Sequence, residues 1–129
     1  VLLVLNARTD VYLLKLGDPE KRYDEAVCRL VAFRDAGADC VFAPGVTDAP
    51  TIERIVQDVK CPVNILAGPG SPTVPELESL GVARVSLGSA PMRATLGLLR
   101  KVAVELKSTG TYAMLEGGIP HAEVNRMLS

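Results

Sequence analysis

Four short runs, LLVLNA near the start of the chain, then DCVFAP, CPVNILA and VARVSLG, are apolar on both faces. A strand with one solvated face alternates apolar and polar residues, whereas a strand of a covered parallel sheet reads as a nearly continuous apolar run. This feature constrains the fold most, because parallel strands need long crossovers, usually helical, rather than tight hairpins. The intervening segments have that character. DPEKRYDEAVCRLVAFRDAGA places Tyr23, Val27, Leu30 and Val31 on one helical face, and Gly37 stands where a C-cap glycine ends a helix. Asp48 can cap a second helix in which Ile52, Ile55, Val56 and Val59 share a face. TVPELESLG reads as a short third helix ending at Gly81. In SAPMRATLGLLRKVAVELKSTG, residues Met92, Leu96, Leu99, Ala103 and Leu106 line one stripe of a fourth. A last helix is expected after Pro120, beyond a Gly117-Gly118 hinge.

The order βαβαβαβα implies an α/β fold, a parallel sheet with helices packed outside it. A doubly wound sheet and a (β/α)₈ barrel both fit. A complete barrel takes about 250 residues, and the chain has 129, so four units correspond to half of one. The first strand begins at residue 1 without a preceding turn or cap. The expectation is therefore the second half of a TIM-type barrel: four parallel βα units plus a C-terminal helical tail, with residues 1–129 as a single domain.

Composition narrows the function. The chain is 48% hydrophobic, and fourteen basic against fifteen acidic side chains leave no excess positive charge for nucleic acid or anionic lipid. No apolar run is long enough to span a bilayer, and Val1–Leu5 lacks the charged leader of a secretory signal. A cytoplasmic protein with neither nucleic-acid nor membrane partners is expected. Cys28, Cys40 and Cys61 are odd in number, widely spaced and without a CxxC pair, so they read as buried structural thiols.

In either architecture ligands collect at the C-terminal ends of the strands. Arg8 and Asp10 follow the first run, Pro44 and Gly45 the second, Asn64 lies toward the end of the third, and Ser86 and Gly88 end the fourth. Arg8 can grip a carboxylate or phosphoryl group through a permanently charged, two-pronged contact; equally, it can form an ion pair with Asp10. Asn64, an amide in an apolar run, can bind a ligand or tie down a neighbouring loop. AGPGSPT reads as a tight turn, and His121, the sole histidine, as a first-turn surface residue. HExxH and GxSxG are absent from the sequence.

Together, NARTD, DEAVCRLVAFRDAGADCVFAPGV, PVNILAGPG and ELESLGVARVSLG resemble, in order and spacing, the second half of the isocitrate lyase and phosphoenolpyruvate mutase superfamily. The resemblance implies a barrel enzyme that binds Mg²⁺ and a small oxo-acid or phosphonate carboxylate. It breaks or forms C–C or P–C bonds through an enolate-like intermediate, and its eighth helix is often exchanged between subunits of a homo-oligomer. By the same resemblance Arg8 matches the arginine of the ARTD strand that contacts the substrate's charged groups, and Asn64 a polar position that helps bind the substrate carboxylate. Asp10 matches the motif without a chemical step. Pro44 departs from the family, whose methylisocitrate-type lyases carry glutamate there and whose phosphonate-forming mutases carry histidine. The metal-binding carboxylates and the mobile loop with the catalytic cysteine precede the ARTD strand in the family, so the Mg²⁺ ligands and the catalytic residues are expected outside these 129 residues. Two alternatives stand beside this reading: a non-catalytic half-barrel assembly module, and a barrel enzyme gripping phosphate with AGPGSPT and SLGSAP.

Overall fold

The computed structural model describes residues 3–129, which form two compact units, one reaching to Gly88 and the other Ser89–Ser129. The first unit contains strands β1 (Asn6–Arg8), β2 (Cys40–Phe42), β3 (Val63–Leu66) and β4 (Arg84–Ser86). Between them lie helices α1 (Arg22–Asp35), α2 (Ala49–Val59) and α3 (Val74–Ser79). The strands are all parallel and pair in chain order, β1-β2-β3-β4. A doubly wound sheet reverses its strand order part-way, which creates its binding crevice. This sheet has no reversal, as expected of consecutive barrel strands.

All three helices cover one face of it. Leu30 from α1, Ile52, Ile55 and Val59 from α2, and Leu77 from α3 pack in one cluster with the strand residues Val41, Val63 and Ile65. Fully burying a side chain of this size is worth roughly 1.5–3 kcal/mol, so this layer holds the unit together. The local sequence prepares each helix for it. Asp48 Oδ1 accepts from the Thr51 amide at 2.9 Å and starts α2. Thr73 and Glu76 cap α3 reciprocally, Glu76 accepting from the Thr73 amide at 2.6 Å. Gly37, just past α1, has φ +97°, a left-handed turn that favours glycine.

Several expectations need correcting. The strand read over LLVLNA begins only at Asn6, and Val1 and Leu2 lie outside the described residues. Leu3 to Leu5 are exposed. Leu5 meets the segment before β2 through Asp39, whose carboxylate accepts from the Leu5 amide, so the ladder starts one residue later. Arg8 is consequently the last residue of β1 rather than a loop residue. Pro19–Lys21 form a separate 3-10 turn ahead of α1. Cys28 is exposed, not buried. It stands two residues from both Ala26 and Leu30, the buried positions of α1, and two residues is about 200° around a helix.

The second unit holds α4 (Ala90–Ser108), a 3-10 turn at Ala113–Leu115 and α5 (His121–Leu128), the last beginning after Pro120 as expected. Glu105 on α4 accepts from the amides of Ala113 and Met114, each at 2.8 Å, and from the Thr111 hydroxyl at 2.6 Å, fastening that turn to the helix. The apolar stripe of α4 forms as the periodicity predicts, yet Met92, Leu96, Leu99 and Leu106 are exposed. Periodicity shows that a helix face is built to be covered, not that its cover lies among these residues. No helix is long and apolar enough to cross a membrane.

Candidate functional site

The sheet face opposite the helices is lined differently. Strand pairing aligns Arg8 with Phe42, Phe42 with Asn64, and Asn64 with Arg84, so these four residues form one rung across the sheet. Residues paired in a parallel ladder point to the same side, and alternation puts Val41, Val63, Ile65 and Val85 on the other, helix-covered side. The rung runs from the last residues of β1 and β2 through the second of β3 to the first of β4, so β3 and β4 are staggered along the sheet, as strand tilt in a barrel requires. Asn64 is accordingly the second residue of β3 and not near its end. Ser86, two residues beyond Arg84, shares this face.

Arg8 and Asp10 do form an ion pair, with Nε 2.5 Å from Asp10 Oδ1. The pair uses Nε only. Neither Nη atom has a hydrogen-bond partner among the described residues, and the guanidinium carbon lies 5.8 Å from the centre of the Phe42 ring. The two side chains are 47% and 35% exposed, and pairs so wetted contribute about 0–1 kcal/mol to stability. Asp10 therefore fixes the direction of the Arg8 fork more than it stabilises the fold.

Asn64 is fully buried. Its Oδ1 accepts a 3.0 Å hydrogen bond from the Ser86 hydroxyl, while its Nδ2 is buried with no partner among the described residues. Leaving a buried donor unmet costs about 1–3 kcal/mol. Two strand spacings, roughly 10 Å, separate Asn64 from Arg8, with Phe42 between them. Two donors with unmet capacity thus flank an aromatic ring on one rung, an arrangement suited to a small anion with an apolar body.

The loops above the strands hold this rung in place. Gly45, after β2, has φ +95°, and a Cβ there would stand 2.8 Å from the Leu13 backbone nitrogen. The loop that follows Asp10 therefore lies directly on the loop that follows β2. Pro44 is buried beside it. AGPGSPT closes on itself: the Gly68 amide donates to the Ser71 hydroxyl at 3.1 Å, and the Ser71 amide to the Gly68 carbonyl at 3.0 Å. Two of its amides are thereby engaged within the turn. His121 is exposed in the first turn of α5, in the second unit. Burial pushes the thiols of Cys40 and Cys61 up, away from the reactive thiolate.

Among the described residues no three His, Cys, Asp or Glu side chains gather closely enough to hold a metal ion, and Asp10 is already paired with Arg8. These residues do not fit a Mg²⁺ site by themselves. Ser86 is among the strand-end residues read from sequence, but Phe42 and Arg84 of the rung are not. Strand register identifies both, and register cannot be read from an apolar run.

The phosphoenolpyruvate phosphomutase family profile matches residues 1–107. The chain belongs to that family. An uncharacterized Mycobacterium tuberculosis protein is 35% identical over 124 residues, 96% of this chain and 45% of that protein. A solved Burkholderia cenocepacia structure, described as a lyase/mutase, is 40% identical with a TM-score of 0.88, over 98% of this chain and 45% of that one. The structure of 2,3-dimethylmalate lyase, of the PEP mutase/isocitrate lyase superfamily, is 26% identical with a TM-score of 0.72, covering 98% and 44% of the two chains. Phosphonopyruvate hydrolase, solved with oxalate and Mg²⁺, is 25% identical with a TM-score of 0.71, covering 97% and 44%. The chain thus spans a little under half the length of these relatives, and the parallel strands in chain order are those of a half-barrel.

Proposed function

We propose that residues 1–129 supply the carboxylate-binding side of a lyase or mutase of the phosphoenolpyruvate phosphomutase family, acting on a small oxo-acid or phosphonate. The observation that carries this reading is the rung itself: Arg8 offers its two Nη groups and Asn64 its buried Nδ2, with Phe42 between them. A carboxylate held in the Arg8 fork receives parallel charge-assisted hydrogen bonds. When the C–C or C–P bond of the substrate breaks, its electron pair passes into the adjacent carbonyl and gives an enolate. The Arg8 cation, set in place by Asp10 before reaction, stabilises that growing negative charge.

Proton transfer, and any group that attacks the substrate, are assigned to residues outside this chain. The Mg²⁺ dependence suggested by the hydrolase solved with Mg²⁺ and oxalate is assigned likewise to ligands outside it. The exposed stripe of α4 supports a homo-oligomer in which that helix is exchanged with a second copy. The protein is assigned to the cytoplasm.

Assays of the enzyme at its full natural length, with oxaloacetate, 2-alkylmalates and phosphonopyruvate in the presence of Mg²⁺, test this reading. Turnover of one of them, abolished by chelation and inhibited by oxalate, is the expected result. Absence of both turnover and oxalate binding would overturn it, and would favour a half-barrel that serves only in assembly.

A further inference from the structure

We infer that Ser86 is a positioning residue for the anion site: its hydroxyl orients the Asn64 amide so that the donor end faces the ligand. This inference rests on the carboxylate-binding reading above.

An asparagine side chain can sit in its pocket in two orientations related by a flip of the amide. One presents an NH₂ group to the site and the other a carbonyl oxygen, and an anion discriminates strongly between them. In this protein the choice is made from β4. Ser86 Oγ lies 3.0 Å from Asn64 Oδ1 and donates to it, which occupies the oxygen and turns Nδ2 away from Ser86. Nδ2 is then buried without a partner. The opposite orientation would let Nδ2 donate to the Ser86 oxygen but would leave Oδ1, an acceptor, in the unpartnered position. Either way one end of the amide is unmet, and the observed arrangement leaves the donor, the end an anion can use.

Register explains why Ser86 can do this. Asn64 pairs with Arg84 and Leu66 with Ser86, so Ser86 is the diagonal neighbour of Asn64 on the same sheet face, close enough for a short hydroxyl to reach the amide. Neither Ser86 nor its hydroxyl needs to touch the ligand. The prediction is a residue that changes anion affinity only through Asn64.

Oxalate is the probe, titrated calorimetrically into the full-length enzyme. Ser86→Ala should weaken oxalate binding about 10-fold, the scale of one hydrogen bond to a charged group. Ser86→Thr, which keeps the hydroxyl, should restore affinity to within about 2-fold of the wild type. In an Asn64→Ala background Ser86→Ala should have no further effect. In the wild type, oxalate should shift the NMR resonances of the Asn64 side-chain NH₂, a readout that does not depend on any variant folding. Wild-type affinity in Ser86→Ala, full additivity with Asn64→Ala, or unmoved Asn64 NH₂ resonances would each overturn the inference. If Arg8→Ala abolishes oxalate binding while Ser86→Ala leaves it intact, only the role of Ser86 falls. If the wild type does not bind oxalate, the carboxylate-binding reading falls with it.

Discussion

A Cβ placed on Gly45 would stand 2.8 Å from the backbone nitrogen of Leu13 and 2.9 Å from its Cα, with φ of Gly45 at +95°. The loops after β1 and β2 therefore meet through bare backbone, and the first of them carries Asp10, the residue that holds Arg8. Gly45→Ala should cost stability on the scale of about 1–3 kcal/mol for a strained backbone position and should shift the Asp10 loop. Thermal unfolding together with oxalate affinity checks this. Retention of both would mean that the loops are not held by their contact.

Asn64 tests whether a buried group is kept for binding rather than for folding. Asn64→Leu combined with Ser86→Ala replaces both partners of a partly buried hydrogen bond with apolar groups, a change that can be neutral or stabilising. The melting temperature should be unchanged or higher while oxalate affinity falls at least about 10-fold. A large loss of stability would show instead that the amide is part of the structural core.

Asp48 caps α2, the helix that delivers Ile52, Ile55 and Val59 to the core. Burial pushes its carboxyl up, but hydrogen bonds from Thr51 outweigh that and leave it below its ordinary value of 3.8. A carboxyl so depressed contributes stability that is fully present above its unfolded value and is lost as pH falls through the folded one. Asp48→Ala should destabilise by about 1 kcal/mol at neutral pH. The difference from wild type should shrink on acidification below the ordinary carboxylate range. Denaturant melts at neutral and acid pH measure it, and a constant difference would contradict the assignment.

The thiols divide by exposure. Cys28 is exposed on α1, whereas Cys40 is buried and Cys61 half-buried with their thiols pushed up by burial. Iodoacetamide should modify Cys28 first in the folded protein, leaving Cys40 and Cys61 until unfolding, with no change in oxalate binding. Mass spectrometry of the labelled protein reports the order. Loss of binding on modifying Cys28 would tie that helix to the site.

How far the sequence revealed these features follows the range of the interactions. The α2 cap at Asp48 and its Ile52, Ile55 and Val59 face are legible because cap and period act within a few residues. Parallel pairing is legible in runs such as CPVNILA, since burial on both faces removes alternation. The Thr73–Glu76 capping box is written in the spacing T-x-x-E, and the short helix expected from TVPELESLG forms behind it. The start of β1 was not legible: an apolar run says what a strand would bury, while the ladder depends on where β2 begins. Register was hidden for the same reason. Arg8, Phe42 and Asn64 are far apart in the chain and become one rung only through pairing, and the Ser86 bond to Asn64 exists only across that register. The exposure of Cys28 could have been foreseen, because Ala26 and Leu30 fix the buried side of α1 and Cys28 faces away from it.

The central claim is that Arg8 holds a substrate carboxylate. Its ion pair with Asp10 is half-exposed and worth about 0–1 kcal/mol to folding, whereas a charge-assisted contact to a bound carboxylate is worth about 1.5–3 kcal/mol, or roughly 10- to 150-fold in affinity. The direct measurement is calorimetric titration of oxalate into full-length wild type and Arg8→Ala, paired with their thermal melts. The account predicts that Arg8→Ala loses at least about 10-fold in oxalate affinity while its unfolding free energy falls by no more than about 1 kcal/mol. Unchanged oxalate affinity, or a loss of stability as large as the loss of binding, would contradict it and leave Arg8 a structural partner of Asp10.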